Sequence, residues 1–179
     1  YGIELMLGAE INILDGEGNI DADEELMKRL DIRIAGIHSL CYTHGTKEEN
    51  THGMVQAIRH PYIQIISHPG DGTALLDFEP MVLASKECGT LLEINNSSLK
   101  PTRNKVDARD NNRELLRLCK KYEVPVILGH YGGERRGAAY WRQAARGRGE
   151  ADCRCCAGGG GRRAEVSHAS RQHVGEARD

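Results

Sequence analysis

The sequence predicts an α/β fold with a parallel sheet, and three observations carry the prediction. Short apolar runs alternate with amphipathic stretches in units of about 30 residues, the pattern of repeated strand–helix pairs. The runs are closed by Gly, Pro, Asp or Asn, which turn the backbone. Polar side chains with chemical capability gather where the runs end, at the carboxyl ends of the strands, where both barrels and open parallel sheets place their functional groups.

In chain order, residues 3–13 read as a strand closed by Asp15-Gly16-Glu17-Gly18-Asn19. Asp21-Ala22-Asp23-Glu24-Glu25-Leu26 reads as a capped helix start, with acids in the first turn where the helix dipole favours them. Residues 32–37 form the next apolar run and end at His38; a polar loop follows from Cys41 to about Glu49. Residues 50–59 read as a helix with Met54, Val55 and Ile58 on one face, ended by Pro61, and 62–66 as the third strand. A helix over 79–88, a strand over 90–94, a helix over 111–122 and a strand over 124–129 complete the pattern.

The character changes after Gly129. Residues 1–129 carry 14 Lys+Arg against 20 Asp+Glu, whereas residues 130–179 carry 10 Arg against 6 acids and contain no Lys, Leu, Ile, Phe, Met, Pro, Thr or Asn. We therefore read 1–129 as one domain and 130–179 as a Gly/Ala/Arg-rich tail. Such a tail cannot bury enough apolar surface to offset its ordering entropy, which predicts disorder. Its composition is also that of a GC-rich gene read out of frame, which predicts a frameshift near Gly129. The chain opens in a strand-like run without an initiating Met, which predicts that it starts inside a longer protein.

The acidic body gives no electrostatic reason to expect a nucleic-acid partner. No apolar run reaches 18 residues and no charged-then-apolar leader opens the chain, so neither membrane insertion nor export is indicated. Cys41, Cys88 and Cys119 are widely spaced beside apolar segments, as reduced thiols are, which predicts a cytoplasmic location. Cys153, Cys156, His168 and His173 approach the spacing of a Cys2His2 zinc finger, but the intervening residues have no aromatic or leucine to form its core.

Glu10, His38 and His68 each end or closely follow an apolar run. A carboxylate with two imidazoles suits Zn²⁺, Mn²⁺ or Fe²⁺, and three protein donors leave room for a substrate. From spacing alone, the alternative that both histidines are polar caps on strand ends stays open. His44, in the loop after the second strand, is a candidate to hold a substrate group; His52 and His60 read as solvated or capping residues. Asn95, in Glu93-Ile94-Asn95-Asn96-Ser97-Ser98, is a candidate to orient substrate or a ligand's hydrogen-bonding partner, with turn chemistry as the alternative. Lys100, Arg103 and Lys105 follow and read as a solvated basic loop, with contact to a phosphate as the alternative.

Gly8-Ala9-Glu10-Ile11-Asn12, Ala35-Gly36-Ile37-His38, Ile66-Ser67-His68-Pro69-Gly70 and Leu92-Glu93-Ile94-Asn95-Asn96-Ser97-Ser98 together resemble the PHP (polymerase and histidinol phosphatase) family, in particular its stand-alone phosphatase branch. The likeness covers about residues 1–129. It implies a fragment of a distorted (β/α)7 barrel and a centre of three divalent metals, zinc or manganese, that hydrolyses phosphate esters. By that resemblance Glu10 bridges two metals, and His38 and His68 complete the ligands of one. The family's His-x-His motif would lie upstream of Tyr1. Its last strand ends in a Gly-Ser-Asp-x-His type motif, where this chain reads Gly129-His130-Tyr131-Gly132-Gly133, without the aspartate and histidine. The expected function is thus metal-dependent hydrolysis of a small phosphorylated substrate by the parent protein, with one ligand set complete in this chain. The alternatives are a non-catalytic metal-binding module and a PHP-type exonuclease; the acidic body argues against the exonuclease.

Overall fold

The computed structural model describes residues 2–99 and 108–129. The expected disorder and frameshift after Gly129, the finger-like Cys and His of the tail, His130, and the basic residues Lys100, Arg103 and Lys105 all lie outside the described residues.

Among the described residues five strands alternate with four helices: β1 (Gly8–Ile13), α1 (Glu24–Arg29), β2 (Ile32–Ile37), α2 (Lys47–Arg59), β3 (Ile65–Ile66), α3 (Phe78–Cys88), β4 (Leu91–Asn95), α4 (Ala108–Tyr122) and β5 (Val126–Gly129), with a short 3-10 turn at Asn96–Leu99. Every strand pairs in parallel with the next, in the order β1-β2-β3-β4-β5. A doubly wound sheet reverses its strand order at a switch point; among the described residues this one does not, and its sequential order is that of a barrel wall.

The α/β expectation is met, with shifted boundaries. β1 begins at Gly8 rather than near residue 3, and Ile3, Leu5 and Leu7 ahead of it are exposed. α2 begins three residues before the expected 50, because Thr46 and Glu49 form a capping box: Glu49 N–H donates to Thr46 Oγ1 at 3.2 Å and Thr46 N–H to Glu49 Oε2 at 2.7 Å. β3 keeps only Ile65–Ile66 of the expected five residues, flanked by Gln64 N–H donating to Arg33 O and Ser67 N–H donating to Ala35 O. α3 ends at Gly89, whose φ of 71° is the left-handed cap that glycine adopts without strain.

The helices cover one face of the sheet. α2 packs on α3 and α3 on α4, and the core between helices and strands includes Ile13, Met27, Ile58, Ile66, Met81 and Leu92, each essentially removed from water. Because side chains alternate along a strand, burying Ile11 and Ile13 of β1 sends Glu10 and Asn12 to the opposite face. The same alternation in β4 buries Leu92 and Ile94 against the helices and turns Glu93 and Asn95 the other way. The side chains on this second face converge at the carboxyl ends of the strands.

Candidate metal centre at the carboxyl ends of the strands

Glu10 is the third residue of β1, His38 directly follows β2, and His68 lies two residues past β3. Parallel pairing sets Glu10 beside Ile34 and Asn12 beside Gly36, so the first two strand ends reach the same level. The Ser67 Oγ would collide with any Cβ at position 36; glycine there lets β2 and the end of β3 approach.

Glu10 Oε1 lies 3.3 Å from His38 Nε2 and 3.5 Å from His68 Nε2, and one donor atom from each residue falls within 4.8 Å of the others. The two rings meet edge-on, with centroids 5.1 Å apart. For ligand bonds of about 2.0–2.2 Å, neighbouring donors around a tetrahedral ion lie about 3.3–3.6 Å apart. The donor chemistry and the two carboxylate–imidazole separations therefore both suit a zinc-like divalent cation.

Each ring is held by its other nitrogen. His38 Nδ1 lies 2.7 Å from Asn12 Oδ1, and His68 Nδ1 lies 3.2 Å from Asp71 Oδ2. Asp71 is itself buried, and its other oxygen accepts from Thr73 N–H at 2.9 Å. Orienting partners of this kind fix the ring plane and leave the far nitrogen to face a ligand. His68 sits at φ 33°, a left-handed conformation that a non-glycine residue adopts at a cost. Its backbone N–H donates to Glu93 Oε2 at 2.9 Å, and Glu93 Oε2 also accepts from Asn95 Nδ2 at 3.3 Å.

These contacts shift the ionisation of the group. The hydrogen bond with His68 pulls the Glu10 carboxyl down to about 2; burial opposes this, and Ser67 and the charges of both imidazoles add to it. Burial pushes the His68 imidazolium the other way, but its hydrogen bonds to Asp71 and Glu10 outweigh it and raise the group to about 9. Asp71 is lowered: burial opposes its ionisation and the bond to His68 overcomes that.

The structure thus brings Glu10, His38 and His68 together and links Asn95 to the His68 backbone through Glu93. It does not bring His44 into the group; His44 is exposed and packs edge-on against the buried ring of Tyr42, 5.2 Å between centroids. Sequence reasoning did not single out Asn12, Asp71 or Glu93. A signal existed for Asn12, which shares Glu10's face two residues on, whereas Asp71 lies past Pro69-Gly70, beyond the apolar run.

The chain is similar to probable phosphatases. It is 43% identical over 129 residues to one from Clostridium novyi (strain NT), 44% over 133 residues to one from Caldicellulosiruptor bescii and 36% over 129 residues to one from Acetivibrio thermocellus. These matches take in 72–73% of this chain and 52–54% of each relative, so the chain spans about half the length of the curated relatives it matches. No family model matches it.

Proposed function

We propose that the protein is a metal-dependent phosphatase of the PHP type, acting on a small phosphorylated substrate, with Glu10, His38 and His68 holding one divalent cation, zinc or manganese. The observation that carries this reading is the single carboxylate oxygen within 3.3 and 3.5 Å of two imidazole nitrogens whose opposite nitrogens are engaged by Asn12 and Asp71. The names of the relatives support the reaction class. Bound there, the cation would supply Lewis-acid polarisation of a phosphoryl oxygen.

The chain's own residues prepare for it. Asn12 accepts a proton held at His38 Nδ1, and Asp71 accepts one at His68 Nδ1, so both Nε2 atoms face Glu10. His68 with its second proton donates to Glu10; without that proton, its Nε2 and the Glu10 carboxylate would both be free to hold the cation. Glu93 accepts from the His68 backbone and, steadied by Asn95, holds the turn that presents the ring.

The non-catalytic module is the second reading, favoured by one observation: among the described residues only one cluster has three metal-ligating side chains, where the resemblance implies three metals. Metal analysis combined with hydrolysis of p-nitrophenyl phosphate separates the two. Metal-dependent turnover lost in His68→Ala supports the phosphatase; stoichiometric metal without turnover supports the module. A protein that takes up no divalent metal contradicts both.

A further inference from the structure

We propose that Asp21 is a positioning residue for His38, acting through Asn12 to keep the imidazole proton on Nδ1 so that the Nε2 lone pair faces Glu10. The inference rests on the metal-centre reading above, and it adds a residue outside the cluster that decides whether one donor is available.

The chain returns along β1 after the Asp15–Asn19 turn. Ile20 bridges antiparallel to Ile13, and Asp21 N–H donates to Asn12 O at 3.2 Å. The Asp21 carboxylate then grips Asn12 twice: Oδ1 accepts the Asn12 backbone N–H at 2.8 Å, and Oδ2 accepts the Asn12 side-chain Nδ2 at 2.5 Å. An asparagine amide is nearly symmetric in shape, so its partners decide which end is oxygen. A carboxylate only accepts; the end facing Asp21 must be the NH2 group, and the end facing His38, 2.7 Å away, must be the oxygen. An oxygen can only accept in turn, so His38 carries its proton on Nδ1. Reversing the amide would oppose two acceptors at Asp21 and present a donor to His38 Nδ1. The imidazole proton would then move to Nε2, where it would block coordination.

His68 achieves the same orientation by direct contact with Asp71, three residues on. His38 uses a carboxylate seventeen positions before it in the chain, relayed through one amide. Asp21 is exposed, so water competes with its hydrogen bonds, and its removal should fall at the lower end of the 10- to 100-fold loss typical of residues that orient metal ligands.

The test compares wild type, Asp21→Asn and the exchanged pair Asn12→Asp/Asp21→Asn in the full chain. In the exchanged pair, the new amide at position 21 donates to the new carboxylate at position 12, whose second oxygen accepts from His38, so the relay is rebuilt with its residue types reversed. The His38 tautomer is read from ring nitrogen shifts of the chelated, 15N-labelled protein at about pH 8, and zinc affinity from competition with a chromophoric chelator. The expected result is Nδ1–H in wild type, a population of Nε2–H with about tenfold weaker zinc binding in Asp21→Asn, and recovery of both in the exchanged pair. If Asp21→Asn does not fold, Asn12→Leu removes the relay without touching Asp21 and should show the same mixed tautomer. Unchanged tautomer and affinity in Asp21→Asn, or no recovery in the exchanged pair, would overturn the proposal. A wild type that binds no zinc would contradict the metal reading alone, because the tautomer measured without metal still decides the role of Asp21.

Discussion

Glu10 and His68 share one proton-linked contact, and its pH dependence is predictable. The His68 imidazolium is raised from 6.5 to about 9, so its contribution to folding is complete below about pH 6.5 and is lost as the pH rises through 9. Glu10 is lowered from 4.5 to about 2, so its contribution is present above about pH 4.5 and is lost as the pH falls through 2. The bond between them enters both shifts, the bond to Asp71 adds to that of His68, and Glu10 is half exposed, which screens it; we expect the alkaline loss to be about 1–2 kcal/mol. Urea melts of chelated protein at pH 6 and 9 should show the loss in wild type and little of it in His68→Gln. The same proton competes with metal, so zinc affinity should climb between these pH values, which chelator competition across the range would measure. That Glu10, His38 and His68 would gather at one end was legible because each ends or closely follows an apolar run, and that periodicity survives in one dimension. The orienting partners were not, because Asp21 reaches Asn12 only through the returning segment after a turn, and Asp71 reaches His68 only through a left-handed residue.

Among the elements, α2 carries the sharpest packing constraint. Gly53 lies in its interior, where alanine would ordinarily favour the helix by about 1 kcal/mol. A Cβ there would collide with Asp15 O and meet the Gly16 backbone at 2.9 Å, so α2 is pressed directly on the turn between β1 and α1. Backbone cannot move aside as a side-chain tip can; the clash should dominate, and Gly53→Ala should lose about 1–3 kcal/mol by urea denaturation. Thr46→Ala removes the side chain of the capping box and should lose about 1 kcal/mol in the same assay. The Thr46-Lys47-Glu48-Glu49 pattern contained that helix start, yet the reading began α2 at residue 50, where apolar periodicity becomes visible. The shortness of β3 was less accessible, because Tyr62-Ile63-Gln64-Ile65-Ile66 satisfies a strand pattern throughout while only its last two residues form the strand.

At the scale of the molecule, the sequential parallel sheet puts helices on one face and gathers Glu10, His38 and His68 from three consecutive strands at one end. The order of elements and the α/β class followed from alternating patterns alone. Which side chains would meet depended on register, since sliding β2 by one residue would turn His38 to the helix face. The described residues contain no helix long and apolar enough to cross a membrane. The central claim is that these three side chains form one metal site. Chelated wild type and His68→Ala, each reloaded with zinc and desalted, should differ by one equivalent of protein-bound zinc by mass spectrometry, with wild type holding more. Equal zinc in the two proteins, or none in wild type, would contradict the account.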